Sequence, residues 1–524
     1  MQTAKHFTSN FAMLAGISRL ALGVALGVVP SCALDDGSAP DPSLGGDSDT
    51  TATDASDDGG ASQALCMTGR FRCFARIQTH RNNRRITPDA AAPLAGSLGP
   101  PDLQSAYNIN PTRLATATPP TVAIVDAFGY TSLAADLAVY RTQYGLPPCT
   151  VGNGCLTIVN QDGQPTPLPA QGTTANDLGW TVETALDVDM VSAACPLCKI
   201  LVVQSANAGG NNLELGVATA ARLGATVISN SWGGSEAPGV SATAFAQEEA
   251  YFNHPNIAVF ASSGDHGYNN TVDSPANVQA NGTGPNYPAT SQYVIAVGAT
   301  RLVKAPGTAR GWSETAWAAT AGKPENGAGG SACSLYTAKP AYQTASPCTK
   351  KATADIAAVG DPGTGVAVYN STSVGGGWLS VGGTSASSPF VAAIFAMTGN
   401  GAQTSAQFVA NNVAKLWDVT SGNNGTCGTQ TLLCNAATGW DGPTGFGTPN
   451  VGAFMPAGTG GTGTGTGGGT GPGNGNGSNN GAGSSGGSGD NGTDITGGCS
   501  AGGTGAGLLL GVALLGLRRR RRDA

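Results

Sequence analysis

NIAVFASSGDHG, residues 256–267, begins as a strand and ends as a turn. Residues 257–261 are apolar without alternation, the pattern of a strand covered on both faces. The run stops at Ser262-Ser263-Gly264-Asp265, so an acid stands in a Gly turn at the strand's carboxyl end. In an open α/β sheet that end faces the usual binding crevice. On its own the residue reads as a turn aspartate. Four other runs share the character: TVAIVDAF (121–128), KILVVQSA (199–206), ATVISNSW (225–232) and YVIAVGAT (293–300). Ala-rich, helix-forming stretches at 211–224 and 241–253 lie between them. This alternation predicts an α/β domain, a parallel sheet with helices on both faces, over about residues 96–456.

Outside that region the composition changes. Residues 1–33 read as an export signal. Lys5 and Arg19 precede an apolar stretch, Leu20 to Pro30, too short to span a membrane as a helix. Two cleavage readings stand side by side: an ordinary site at Ser31-Cys32-Ala33, and a poor lipobox at Val29 to Cys32. Residues 34–95 make one region. Its acidic, Ser/Thr/Gly-rich first part cannot bury enough apolar surface to fold and reads as a disordered spacer. Its second part, 61–95, carries a Cys pair and an Arg-rich stretch, and reads as a short propiece or a surface appendage. Residues 457–498 are a Gly-rich flexible linker. Residues 499–524 hold a short apolar run and five arginines, Arg518 to Arg522, expected to stay on the cytoplasmic side of a membrane.

The net charge is −7 and only 11% of the 524 residues are charged. The two basic clusters, Arg81 to Arg85 and Arg518 to Arg522, fall outside the expected core, which argues against a nucleic-acid partner. Ten of the 12 cysteines fall into close pairs: Cys66 and Cys73, Cys149 and Cys155, Cys195 and Cys198, Cys333 and Cys348, Cys427 and Cys434. In an exported chain such pairs read as small disulfide loops. For Cys195 and Cys198 a zinc knuckle is the competing reading, although no second His/Cys pair stands at matching spacing.

Chemistry concentrates in three places. In VGGTSASSPFVAAIFAM (381–397) a Gly-Gly-Thr-Ser turn runs into an apolar helix and places Ser385 at its N-terminus. Outward-pointing N–H groups there would stabilise an oxyanion formed when the serine attacks a carbonyl. The plain alternative is a capping serine. None of the four histidines, His6, His80, His254 and His266, stands in a context suited to a serine's base. The replacement is in GWTVETALDVDMV (179–191), where Glu183 and Asp187 share a helix face at i, i+4. Paired acids raise each other's proton affinity and share a proton. A solvated acidic face is the alternative, but the flanking Leu186, Val188, Met190 and Val191 are apolar. Asp265 in the Gly turn is the third element.

In this order, E-x-x-x-D, S-G-D and G-T-S-A-S-S-P resemble the sedolisin, or serine-carboxyl, peptidase family over residues 96–456. GPPDLQSAYNI (99–109) looks like the start of that family's mature domain. The resemblance implies a subtilisin-like fold and hydrolysis of peptides at acid pH. It makes Ser385 the nucleophile and Glu183 its base, with Asp187 orienting Glu183 and Asp265 a protonated oxyanion donor. SNSWGG (229–234) is similar to the family's substrate-pairing edge, with Ser231, Trp232 and Gly233 as binding residues. Asp418, Val419 and NAATGWDGPTG (435–445) resemble its calcium loops, with Asp418 and Asp441 giving carboxylates and Val419, Ala437 and Gly439 carbonyls to one ion. Members of the family carry a large N-terminal prodomain, and only about 60 residues lie here between the signal and the core. The tail, with Gly498-Cys499-Ser500 before its apolar run, resembles the sorting signals of myxobacterial surface proteins. The whole reads as a secreted, surface-anchored, monomeric peptidase. The rivals are a conventional triad built on Asp126 and a catalytically inactive peptide-binding surface protein on the same fold.

Overall fold

In a computed structural model, residues 61–80, 86–271, 284–318, 326–372 and 376–455 are described. The expected export signal, acidic spacer, Gly-rich linker and C-terminal tail lie outside them. The five apolar runs read from the sequence supply five strands of one eight-stranded sheet; Leu156–Asn160, Trp312–Ala316 and Ile356–Val359 complete it. Thr121–Ala127 is central. Lys199–Ser205 and then Leu156–Asn160 pair on one side; Val227–Asn230, Ala258–Ser262 and Val294–Lys304 follow on the other. These strands are parallel, as is Ile356–Val359 against Val294–Lys304; the edge strand Trp312–Ala316 is antiparallel. Ile124 faces Val202 in one neighbour and Ser229 in the other, so the three carboxyl ends stand side by side.

Strand alternation assigns the faces. Val125 points at the helix Asn212–Arg222, close enough that a Cβ on Gly216 would lie 2.6 Å from its Cγ1. The next side chain, Asp126, therefore points to the opposite face. On that face lie the helices Ala175–Ala194 and Thr384–Met397, packed against each other. Both are apolar nearly all round, which suits a helix with no solvent side. Every residue of Thr384–Met397 is buried, and so is Gly179 to Ala194 of the other helix. Glu183 and Asp187 are consequently core residues, not a solvated face.

Residues 61–80 join the core rather than hanging from it. Ser62–Ala64 and Arg76–Gln78 form an antiparallel pair. Arg76–Gln78 continues onto Gly377–Gly382, and Arg72–Cys73 pairs with Trp232–Ser235.

The structure joins all five close cysteine pairs as disulfides. Cys66 bonds Cys73, and so pins residues 61–80 into a tight loop where they meet the core. Cys149 bonds Cys155 at the entry to the strand Leu156–Asn160, and Cys155 remains partly buried against the core. Cys195 bonds Cys198, which answers the zinc alternative there. Cys333 bonds Cys348, the widest of the loops at 15 residues; Cys348 is buried in a small apolar cluster with Ala352, Leu433 and Trp440. Cys427 bonds Cys434 beside that same cluster. Among the described residues no helix is long and apolar enough to cross a membrane.

Candidate active site

Ser385 is the second residue of the helix Thr384–Met397, whose N-cap Gly383 has φ +100°, a conformation that favours glycine. A side chain at 383 would also collide with the chain beside it: its Cβ would lie 1.8 Å from the Phe74 carbonyl oxygen and 2.7 Å from Asp265 Oδ2. Pro389 lacks the N–H that would bond the Ser385 carbonyl within the helix. The Ser231 hydroxyl instead approaches that carbonyl at 3.4 Å while donating to Asp187 Oδ1 at 2.7 Å. Ser385 Oγ donates to the Ser231 carbonyl at 3.1 Å.

Glu183 closes no hydrogen bond of standard geometry. It nevertheless neighbours the Ser385 hydroxyl and the Ala75 N–H, both of which favour its ionised form. Burial dominates and holds Glu183 well above the ordinary carboxyl range, helped by the charges of Asp126 and Asp265. Asp187 is raised in the same way, by burial, then Asp126 and Glu183, against the bond from Ser231. Asp126, at the carboxyl end of the central strand, is fully buried and pushed up to about 7, chiefly by burial. The three acids adjoin, so they titrate as a group.

Asp265 follows the strand Ala258–Ser262, beside the helix that carries Ser385. Its Oδ1 accepts from Thr384 N and Thr384 Oγ1, both at 2.8 Å; Oδ2 takes no hydrogen bond. Burial pushes it up to about 7, although Arg76, Thr384 and Arg72 favour its charge. It is therefore a proton-bearing acid in mildly acidic water, with Oδ2 directed to where Phe74 presents a carbonyl.

Of the residues expected from sequence, Ser385, Glu183, Asp187, Asp265 and Ser231 meet here, and Trp232 and Gly233 lie on the adjoining edge strand Trp232–Ser235. Trp232 is anchored through Nε1 to the Val125 carbonyl at 2.8 Å. The sequence offers Asp126 only as part of a rival histidine triad; the structure makes it a third acid of the cluster. Its signal was present, an acid at the end of a buried strand, but the helix face it meets lies some 60 residues away in sequence. Arg72, Phe74 and Arg76 also stand at this site, and nothing local in the sequence marks them for it.

The expected calcium residues lie apart. Asp441 Oδ2 accepts from Ala437 N at 2.9 Å, and Oδ1 from Thr444 N and Oγ1, both at 2.8 Å. Asp418 Oδ2 accepts from Gly439 N at 3.0 Å. Asp418 stands close enough to raise Asp441 by its charge. Among the described residues no group of three or more His, Cys, Asp or Glu side chains could hold a metal ion. An ion here would depend on two carboxylates and loop carbonyls.

A doubly wound α/β domain with a serine at a helix N-terminus and carboxyls at the strand ends defines a class of hydrolase-like folds. A family model described as the subtilase family matches residues 172–450. Kumamolisin from Bacillus sp. (strain MN-32) is 29% identical over 286 residues, 51% of this chain and 49% of that protein. Xanthomonalisin from Xanthomonas sp. (strain T-22) is 29% identical over 405 residues, 69% of this chain and 46% of that one. The structure of Pseudomonas sedolisin, a serine-carboxyl proteinase complexed with two molecules of pseudo-iodotyrostatin, superposes with a TM-score of 0.55 at 25% identity. That likeness covers 68% of this chain and 96% of that one. The chain belongs to the subtilase family, within its sedolisin group. It spans about half the length of the two curated relatives named here.

Proposed function

We propose that this chain is a serine-carboxyl peptidase that hydrolyses peptide bonds at acid pH. The observation that carries the reading is convergence: Ser385, Glu183, Asp187 and Asp265 come from three distant segments and meet at the carboxyl ends of the sheet. In this mechanism the Ser385 hydroxyl attacks the substrate carbonyl carbon and passes its proton to Glu183. Asp265, protonated, donates to the carbonyl oxygen as it becomes an oxyanion; ionised, it would repel that charge. Glu183 returns the proton to the leaving amine, and water then attacks the acyl-serine by the reverse use of the same groups. Asp187 is held by Ser231 and shares the proton of the acid cluster. Adjoining carboxyls lose the first proton at lower pH than the last, and the Ser385 hydroxyl and the Ala75 N–H favour charge on Glu183 against its burial. The mechanism needs base and oxyanion donor in opposite protonation states; burial favours the proton on both, so the competent form is the minority in which the cluster's charge rests on Glu183.

A calcium ion is the further element of the reading. The oxygen donors of Asp418, Asp441 and the carbonyls of Val419, Ala437 and Gly439 suit a hard cation, and two neighbouring carboxylates gain from one. Bound, it would fasten the loop beside Cys427–Cys434. Export and surface attachment rest on the sequence of residues 1–33 and 499–524.

The deciding experiment is cleavage of a mixed peptide library by the full chain at pH about 4 and about 7, with Ser385→Ala as control. Cuts at the lower pH that vanish with Ser385→Ala are expected. Peptide binding without cleavage by any preparation would leave the inactive surface protein as the better reading.

A further inference from the structure

The nucleophile of an open peptidase is exposed in its cleft, whereas Ser385 here is fully buried. What covers it is this chain's own residues 70–77. Before the midpoint of that stretch the backbone follows one wall of the cleft: Arg72 pairs with Gly233, Cys73 with Trp232, and Phe74 N donates to the Ser231 carbonyl at 3.1 Å. After the midpoint it crosses to the other wall, where Arg76 pairs with Gly382 and Ile77 with Val381. The Phe74–Ala75 peptide is the bridge between the two walls. Its carbonyl oxygen lies by Gly383 and Asp265, and its N–H faces Glu183. The Phe74 ring enters a pocket walled by glycine: a Cβ on Gly233 would come within 2.9 Å of Cε2, and one on Gly264 within 3.7 Å of Cζ. A substrate drawn up for attack by Ser385 would have this register.

The same segment reveals what lies farther along the cleft. Four residues before Phe74, Arg70 places Nη1 3.3 Å from Glu214 Oε1 and Nη2 2.7 Å from Glu248 Oε1. Nη1 also donates to the Gly210 carbonyl at 2.9 Å. Glu214 has a side chain with no exposed surface and neither oxygen takes a hydrogen bond. Burial pushes Glu214 up to about 7, with the Arg70 charge and its own N–H opposing the rise; a buried carboxyl of this kind carries charge only when a cation meets it. Phe71, its ring tilted 54° against that of Trp232 at 4.9 Å between centroids, lies between Arg70 and the edge strand. Arg70 and Phe71 border a cavity of ≈ 150 Å³ that Glu248, Phe245 and Tyr336 also line.

We infer that residues 70–76 occupy the chain's own cleft in substrate register, with Phe74–Ala75 across Ser385, and that Glu214 with Glu248 forms a subsite for a cationic side chain four residues before the aromatic one. The substrate class is thus a peptide with Arg or Lys at that position. The inference rests on the peptidase reading for its cleavage arm alone.

The cleavage arm compares two internally quenched peptides, Arg-Phe-Arg-Ser-Phe-Ala-Arg and the same peptide with Ala first. The enzyme should favour Arg by roughly 10-fold in kcat/KM, as the one charge-assisted pair with Glu248 allows; burial pushes Glu214 up to about 7, so at acid pH it meets the cation as a neutral acceptor. Glu214→Gln with Glu248→Gln should bring that ratio near one, the readout being the selectivity between the two peptides and not either rate alone. Equal rates for the two peptides in the parent, or an undiminished preference in the double variant, would overturn the subsite. The second arm needs no catalysis. In the Ser385→Ala full chain, amide exchange of residues 71–77 is followed by mass spectrometry with and without Arg70→Glu, a rim substitution whose fold is checked by melting. Exchange should quicken several-fold. Unchanged exchange overturns the inference that this ion pair seats the segment. If no peptide is cut by any preparation, including one in which Arg70→Glu has released residues 70–76 from the cleft, the peptidase reading fails, and the exchange arm still decides whether the ion pair of Arg70 seats the segment.

Discussion

Two groups of carboxyls sit at opposite ends of this domain's chemistry. At Ser385, both oxygens of Asp126 and Glu183, and Oδ2 of Asp187 and of Asp265, take no hydrogen bond although all four residues are buried. At the C-terminal loop, Asp441 is as deeply buried, yet backbone and hydroxyl donors from Ala437 and Thr444 meet both of its oxygens. The contrast separates two uses of one residue type. Buried acids left without donors cost stability and are retained where protons or substrate must be handled. Acids already met by backbone donors shape a loop, and a cation adds to them without being required for their burial.

The largest effect that would break this contrast is at the base. Glu183→Gln should cost roughly 10²–10⁴-fold in kcat/KM at every pH, or more if base and nucleophile act as a unit, while the fold is retained. A variant with near-parental rates would return Glu183 to a structural role. Next comes Asp265→Asn, expected to lose up to about 10²–10³-fold as an imperfect oxyanion donor. Because Asp265 gives up its proton near about 7, the parent's rate should fall there as pH rises. The asparagine never ionises, so its residual activity should fall less steeply. An alkaline limb identical to the parent's would assign that limb to another group.

Stability should sharpen the comparison further. Asp126, Glu183, Asp187 and Asp265 all have folded values raised above their ordinary ones. The folded state therefore holds more protons than the unfolded chain from about pH 4 to about 7. Their contribution is complete below the unfolded value and lost as pH rises through the folded one. Melting of Ser385→Ala, which cannot digest itself, should fall by several degrees across that window. A melting temperature that climbs over the same range would contradict the assigned directions. The smallest effect is at the loop: excess chelator should lower melting by a few degrees, since an ion bound only to the native state stabilises it by mass action. Identical melting curves, with no calcium in a metal analysis, would leave the loop held by its hydrogen bonds and Cys427–Cys434 alone.

Much of the site was legible because its parts are local. The five apolar runs declared buried parallel strands by lacking alternation. An acid pair at i, i+4 among apolar neighbours declared one helix face, and GGTSASSP declared a turn into a buried helix. Cysteines 3 to 15 residues apart could close small loops, and they do, from Cys195–Cys198 to Cys333–Cys348. The environment of each part was harder to read. Glu183 and Asp187 look like a pair until the central strand brings Asp126 beside them. The sequence reading sets Ser385 beside Glu183, and it stands there, but no local pattern shows that its hydroxyl also donates to the Ser231 carbonyl.

The sequence by itself therefore determined the periodicities, the order of the strands in the chain and the residue types offered for chemistry, because each depends on neighbours within a turn or two. Tertiary structure alone decided that Ser231, 154 residues before Ser385, holds both Asp187 and the nucleophile. It alone decided that residues 70–77 thread the cleft and bring Arg70 to a carboxylate far along the chain, that of Glu214. Such choices come from burial and backbone pairing between segments far apart in the chain, where every polar group removed from water must find a partner or remain costly, and no local pattern records which partner it will be.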